Sequence, residues 1–153
     1  MIYIVRHAKA GSRRQWKGDD ELRPLSKRGH AQARALSKRL ASPDVTRVMT
    51  SPYVRCVETV APLAKKVGVE VEIADALSEG ATLADSLRLV EKLMHDGDVV
   101  LCTHGDVLGN LLMHYSHLGV ELGDDRIEKA SVWELEVVDG DVRAARYMPP
   151  PGA

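Results

Sequence analysis

The stretch "MIYIVRHAKAGS" (residues 1–12) decides how this sequence is interpreted. Its apolar run lacks strict alternation, which favours a strand buried on both faces, and it ends directly on Arg6 and His7. The stretch "DVVLCTHGDVLGNLL" (residues 98–112) has the same arrangement, because an apolar strand leads into His104, a glycine and a helical pattern. Two strands that end on such side chains indicate one site at one edge of a sheet.

Length and composition predict one ordinary globular domain. The chain has 153 residues, of which 44% are hydrophobic and 28% charged. We expect a single domain over residues 1–148, followed by a flexible, proline-rich tail over residues 149–153. A net charge of −1 argues against nucleic acid as a partner, and no apolar run approaches the roughly 20 residues of a membrane span.

The cysteine content gives a prediction about the compartment. Cys56 and Cys102 are the two cysteines of the chain, and they have neither a disulfide framework nor a paired metal-binding spacing. We interpret them as buried thiols of a protein in the reducing cytoplasm.

Strand and helix patterns alternate along the chain, which predicts a three-layer α/β/α sandwich with a mainly parallel sheet. Strands are expected at Ile2–Val5, Thr46–Thr50 and Val99–Cys102, and an antiparallel edge hairpin is expected around the turn Asp139-Gly140. Helices are expected at Lys27–Leu40 and Gly105–His117. A further helix is expected to have Ser51 as its N-cap and Pro52 as its first residue, and to end at Gly68. Another is expected over residues 82–97, with Gly97 as its stop.

Ligands of open α/β sheets bind at the carboxyl ends of the strands. The first strand ends on Arg6 and His7, the second is followed by a helix with Arg55 in its first turn, and a later strand ends on His104. Helix N-termini and arginine side chains both favour phosphate. Each residue also has a structural interpretation, as a hydrogen-bonded histidine or a solvated arginine, but four such groups at one edge favour an anion site.

A zinc site is the alternative use of these histidines. His7 and His104 have no third clear ligand in the sequence, and the neighbouring arginines would repel a cation. We therefore expect no metal.

Four segments in order resemble the histidine phosphatase superfamily, which has the phosphoglycerate mutase-like fold. These segments are "VRHAKAG" (5–11), "LRPLSKRGHAQA" (22–33), "SPYVRCVETV" (51–60) and "THGD" (103–106). The match is closest to the small branch of the SixA-type phosphohistidine phosphatases. The chain also resembles the phosphatase domain that is fused to Nudix domains in some actinobacterial proteins.

The resemblance implies a metal-independent phosphatase without a cofactor. His7 would be the nucleophile and would form a phosphohistidine intermediate that water hydrolyses. Arg6, Arg55 and His104 would offset the charge on the phosphoryl oxygens. Gly105, at the start of a helix, and Ser12, where mutase-type relatives carry asparagine, would also bind phosphate.

Two segments bear on the substrate. Glu79 lies where larger members of the superfamily place a general acid, and it is either that acid or a solvated loop residue. In the loop 11–25, Trp16 and Lys17 either belong to a solvated charged segment or contact the base and distal phosphates of a nucleotide.

Three functions follow from these observations. The first is a SixA-like phosphatase of phosphohistidine in proteins. The second is a phosphatase of nucleotides or other small phosphorylated metabolites. The third is a phosphate-binding module without turnover, which is disfavoured because Arg6, His7, Arg55 and His104 are all present.

Overall fold

A computed structural model of the chain describes residues 1–152, which form a six-stranded sheet with two helices on each face. The strands are β1 Ile2–Arg6, β2 Val45–Thr50, β3 Val71–Ile73, β4 Asp98–Thr103, β5 Val132–Val138 and β6 Asp141–Met148. The helices are α1 Lys27–Leu40, α2 Val54–Val67, α3 Leu83–Lys92 and α4 Gly105–His117.

The order of strands in the sheet is β3-β2-β4-β1-β5-β6. The first four are parallel, and β5 pairs antiparallel with β1 and with β6. This topology confirms the predicted three-layer fold with a mainly parallel sheet and an antiparallel edge hairpin. The hairpin turn is the predicted one, because Asp139 (φ 52°) and Gly140 (φ 79°) both take the left-handed conformation that a tight two-residue turn requires.

Both faces of the central strands are buried, which explains their unbroken apolar runs. In β4, Val100 and Cys102 pack with α1 and α2, whereas Val99 and Leu101 pack with α3 and α4. All four side chains are fully buried. A strand covered on both sides has no position for a polar side chain, so alternation is lost.

Two predicted helix boundaries are wrong. Helix α2 begins at Val54 rather than at Pro52, and Tyr53 rather than Ser51 is its N-cap residue. The hydroxyl of Ser51 accepts from the N–H of Tyr53 at 3.2 Å and is also bonded to Nε2 of His104, at 2.9 Å. Helix α3 ends at Lys92, and turns lead from there into β4.

Gly97, the predicted helix stop, lies where a side chain would collide with Thr46. A Cβ atom at this position would lie 2.7 Å from the methyl group of Thr46. The glycine therefore lets the chain enter β4 alongside the start of β2.

Beyond β6 the described chain has no helix or strand. Nη1 of Arg39 donates to the carbonyl of Pro149 at 2.6 Å, and Pro151 is buried. Ala153, the last residue of the predicted tail, lies outside the described residues, and the division at residue 148 stays a prediction. Within residues 1–152, no helix combines the length and apolar character needed to cross a membrane.

Candidate active site

The carboxyl ends of the parallel strands open into a cavity of about 850 Å³. Register places Arg6 of β1 beside Thr103 of β4, and Thr50 of β2 beside Cys102, so the segments that follow these strands meet. The cavity is lined by Arg6, His7, Lys9, Ala10, Gly11, Ser12, Arg13, Arg23, Glu79, His104, Gly105, Asp106, Ile127 and Lys129.

His7 is held in one orientation at the end of β1. Its Nδ1 lies 2.8 Å from the carbonyl oxygen of Ala8, which can only accept, so Nδ1 carries the proton and donates. Ala8 is itself fixed, because its backbone N–H donates to Oγ1 of Thr59 at 2.9 Å. Among residues 1–152, Nε2 of His7 has no hydrogen-bond partner. The free lone pair on Nε2 is therefore available to a ligand.

The surroundings of His7 keep its ring neutral. Burial, together with the nearby His104, Arg55 and Arg6, lowers the pKa of His7 to about 3, although the hydrogen bond to Ala8 acts in the opposite direction. A neutral imidazole has the nucleophilic lone pair that its cation lacks.

His104 faces His7 across the site, with 5.4 Å between the ring centroids. Its Nε2 is bound to Oγ of Ser51, and Sγ of Cys56 lies 3.5 Å from the same atom. Its Nδ1 is buried and has no partner within the described chain. Nδ1 is therefore the ring nitrogen of His104 that remains available for a hydrogen bond to a ligand.

Gly105 leaves room for the guanidinium of Arg6 at the start of α4. A Cβ atom here would lie 2.9 Å from Cζ of Arg6. Because no side chain intervenes, the N-terminus of α4 and the guanidinium of Arg6 line the same cavity. Free N–H groups at a helix N-terminus add to the positive potential of the arginine.

Arg6 is fixed by Nη1, which donates to the carbonyl of Ile127 at 2.8 Å. Its Nε is buried without a partner among residues 1–152. Burial lowers the pKa of Arg6, and the neighbouring Asp106 acts in the opposite direction. The guanidinium is thus incompletely hydrogen-bonded beside the nucleophile candidate.

Arg55 is fully buried and does not line the cavity. Its Nη1 donates to the backbone carbonyl of Asp20 at 2.9 Å, and its Nη2 donates to Oδ2 of Asp20 at 3.1 Å. Although burial opposes it, hydrogen bonds from Arg23 and Arg55 hold the pKa of Asp20 below its usual value. The carboxylate of Asp20 therefore binds the guanidinium of Arg55, which the sequence predicts to bind phosphate.

Glu79 lines the cavity, so it is more than a solvated loop residue. Its Oε1 lies 3.5 Å from Nη2 of Arg13 and 3.7 Å from Nη2 of Arg55. The loop is anchored one residue later, where the N–H of Gly80 donates to Oδ2 of Asp106 at 2.8 Å. A carboxyl group on the cavity wall fits the interpretation of Glu79 as an acid.

The entry loop contributes Ser12 to the cavity, but it does not bring Trp16 or Lys17 there. The indole N–H of Trp16 donates to the carbonyl of Asp19 at 2.9 Å, and its ring packs against Gly18. The aromatic ring is folded onto its own loop, so the structure does not place it for stacking on a base in the cavity.

Several cavity residues escaped the sequence analysis, among them Lys9, Arg23, Asp106 and Lys129, as did the role of Asp20 behind the cavity. Asp106 and Lys9 follow the two strand-end histidines by two residues, so proximity to those motifs could have indicated them. Lys129 precedes β5, which runs antiparallel to β1 and therefore begins at the edge where β1 ends.

Comparison with known proteins agrees with this geometry. The model of the histidine phosphatase superfamily (branch 1) matches residues 2–83. An 8-oxo-(d)GTP phosphatase of Mycolicibacterium smegmatis is 36% identical over 157 residues, which cover 98% of this chain and 48% of that protein. The chain thus spans about half the length of this curated relative.

Solved structures show the same fold at lower identity. The protein histidine phosphatase SixA complexed with tungstate superimposes with a TM-score of 0.72 at 16% identity, over 96% of this chain and 93% of that one. A mycobacterial glucosyl-3-phosphoglycerate phosphatase with inorganic phosphate gives 0.71 at 17% identity, over 99% and 97%. The chain belongs to the histidine phosphatase superfamily.

Proposed function

We propose that this phosphatase hydrolyses oxygen-linked phosphate compounds through a covalent phosphohistidine at Nε2 of His7, without a metal. The observation that carries the proposal is the ring of His7, which is neutral, held by Nδ1 and free at Nε2 inside the cavity. In the first step the N–P bond forms as the bond from phosphorus to the leaving oxygen breaks. In the second step water attacks phosphorus, the N–P bond breaks and inorganic phosphate leaves.

The groups around His7 stabilise the charge of the phosphoryl oxygens. Arg6, the N-terminus of α4 at Gly105 and the unpartnered Nδ1 of His104 are donors in a largely water-excluded position. Ser12 can donate to the same group from the entry loop. Arg55 contacts the phosphate once the carboxylate of Asp20 gives way, since the two anions compete for one guanidinium.

The leaving group distinguishes the two substrate classes. An oxygen leaving group benefits from a proton donor, whereas an imidazole, with a pKa near roughly 6.5, departs more easily. Glu79 on the cavity wall favours an oxygen-linked phosphate. The relative named for 8-oxo-(d)GTP favours the nucleotide alternative over a phosphohistidine protein.

The test is phosphate release in the presence of EDTA by the wild type and by His7→Ala. Both proteins are assayed on a phosphohistidine protein, on a set of nucleotides and on a set of sugar phosphates. We expect turnover by the wild type alone, highest on the nucleotides, and an acid-labile phosphoenzyme in rapid-quench samples.

Appreciable activity of a folded His7→Ala protein contradicts the nucleophile, and loss of wild-type activity in EDTA contradicts metal independence. Higher turnover on the phosphohistidine protein supports the SixA-like alternative instead. Circular dichroism of both proteins controls for folding.

A further inference from the structure

We propose that Lys129 and Lys9 form a second anion subsite in the cavity, which binds the phosphate adjoining the one transferred to His7. The preferred substrate is then a terminal phosphoanhydride, as in a nucleoside diphosphate. This inference rests on the proposed function of His7 and narrows its substrate class.

The cavity contains more positive charge than one phosphoryl group requires. Five cationic side chains line it, against the two carboxylates of Glu79 and Asp106. Arg6, Arg13 and Arg23 already donate to carbonyl or carboxylate oxygens. Lys9 and Lys129, by contrast, form no ion pair with any carboxylate of residues 1–152.

The backbone around Lys129 is tied to the end of β1. Arg6 donates twice to this segment, from its N–H to the carbonyl of Ser131 at 3.1 Å and from its Nη1 to that of Ile127 at 2.8 Å. The N–H of Ala130 donates to the carbonyls of Arg6 at 3.0 Å and His7 at 3.1 Å. Ala130 is buried with φ at 65°, a left-handed conformation that non-glycine residues rarely adopt. Lys129 is therefore placed beside the nucleophile by an ordered segment.

The charges that face Lys129 are mostly of its own sign. Burial lowers the pKa of Lys129, followed by repulsion from Arg6, Arg23, Lys9 and Arg13. The nearest carboxylate along the chain, that of Glu128, accepts a hydrogen bond from the hydroxyl of Tyr147 at 2.9 Å. An anion bound between these cations would relieve their mutual repulsion.

Lys9 has a comparably fixed backbone and an uncommitted side chain. Its N–H donates to Oε1 of Gln32 at 3.0 Å, and its carbonyl accepts from Ser26. A Cβ atom on Gly29 would lie 1.9 Å from that carbonyl, so α1 packs directly against this segment. The position of Lys9 at the cavity is thus set by the fold of the motif that carries His7.

Neighbouring cations suit neighbouring phosphates. In a diphosphate the second phosphorus is separated from the first by one bridging oxygen, so Arg6 and Lys129, which line the same cavity, can bind one phosphate each. Transfer to His7 breaks the bond from the terminal phosphorus to the bridging oxygen and forms the N–P bond. The bridging oxygen leaves with the nucleoside monophosphate, and water then releases inorganic phosphate.

Inorganic pyrophosphate and inorganic phosphate are the probes for this subsite, with isothermal titration calorimetry as the readout. We expect the wild type to bind pyrophosphate about tenfold more tightly than phosphate, since one further charge-assisted contact is made. The preference should fall below about threefold in Lys129→Met and persist in Lys129→Arg. Lys38→Met is the matched control, because Lys38 is an exposed lysine of α1 outside the cavity and its loss removes the same charge. This variant should keep the wild-type preference for pyrophosphate.

Kinetics separate the failure of this inference from the failure of the proposed function. p-Nitrophenyl phosphate needs no second subsite, so its turnover by the wild type and loss in His7→Ala test the nucleophile alone. Nucleoside di- and monophosphates of one base then test the subsite, and kcat/KM should favour the diphosphate at least about tenfold. The inference is overturned if kcat/KM is equal for the diphosphate and the monophosphate. It is also overturned if Lys129→Met and Lys38→Met reduce the preference for the diphosphate alike. Neither result contradicts the proposed role of His7 as the nucleophile.

Discussion

At the scale of single residues, the carboxyl group of Glu79 lines the cavity and lies close to two arginines. It lies within 3.7 Å of the guanidinium of Arg55 and within 3.5 Å of that of Arg13. The anchor of its loop on Asp106 limits how far it can move. Its proposed task is to protonate the leaving oxygen, and this task depends on which bond is broken.

Glu79→Gln keeps the size and hydrogen-bonding capacity of the side chain but removes the acid. We expect kcat/KM on a nucleoside monophosphate, whose leaving group is an alcohol, to fall by roughly a hundredfold or more, in line with typical general-acid effects. On a phosphohistidine protein the loss should be below tenfold, because an imidazole leaving group needs less protonation. Parallel assays of both substrates with wild type and variant give the ratio.

One result of these assays would contradict the role of Glu79 as an acid. Equal losses on both substrates indicate that the side chain acts through Arg55 and Arg13, as a partner of cations. p-Nitrophenyl phosphate serves as the internal control, because its acidic phenol leaves without a proton donor and should respond like phosphohistidine.

Single residues were predictable where they follow strands. Arg6, His7 and His104 lie at strand ends, and parallel strands bring such ends to one edge. The burial of Arg55 was not predictable, because it depends on Asp20, which is 35 positions away in the sequence. No local pattern indicates that a loop carboxylate will pair with that guanidinium.

At the scale of elements, the short 3-10 turn Asp20–Leu22 covers the start of α2. Asp19 caps the turn by accepting from the N–H of Glu21, whereas Asp20 binds Arg55 and Arg23. The two neighbouring carboxylates therefore have different tasks. Only that of Asp20 contacts Arg55, the guanidinium that we propose for phosphate binding.

Asp20→Asn should strengthen phosphate binding, because it removes the anion that holds Arg55. We expect the inhibition constant of inorganic phosphate to fall roughly three- to tenfold, which corresponds to part of one charged hydrogen bond. The variant should be less stable without phosphate and should gain more stability than the wild type when phosphate is added. Asp19→Asn is the matched control, since it changes a carboxylate of the same turn that does not contact Arg55. Unchanged or weaker inhibition in Asp20→Asn would show that the carboxylate only positions Arg55.

Element boundaries were predictable where local and tertiary preferences agree. Helix α1 has the predicted bounds, and Ser26 caps it by accepting from the N–H of Gly29. The Ser51-Pro52 pair has an equally good local pattern for a helix start. Its serine accepts from the N–H of Tyr53 at 3.2 Å and is also bonded to His104, yet regular helix begins only at Val54, which no local pattern indicates.

At the scale of the whole molecule, sheet topology determines which segments reach the site. The alternation of strands and helices predicted the parallel part, and the turn at Asp139-Gly140 predicted the hairpin. The edge on which that hairpin adds was not predicted. Its antiparallel pairing with β1 brings residues 127–131 to the carboxyl end of β1, which is how Ile127 and Lys129 enter the cavity.

The buried neutral His7 links the stability of the entire fold to pH. Its pKa is about 3 in the folded protein, chiefly because of burial, and about 6.5 in an unfolded chain. As the pH falls below about 6.5, the unfolded chain takes up a proton that the folded protein excludes, so the free energy of unfolding decreases.

His7→Gln removes this titration and isolates its effect. Between pH 7.5 and 5.0, the free energy of unfolding of the wild type should fall by about 2 kcal/mol more than that of the variant. Urea unfolding at both pH values measures the difference, and equal slopes against urea show that the same surface is exposed. If both proteins lose the same stability, His7 is protonated in the fold as readily as in the unfolded chain. The nucleophile would then be cationic at pH 5, and the neutral imidazole on which the proposed reaction depends would be absent there.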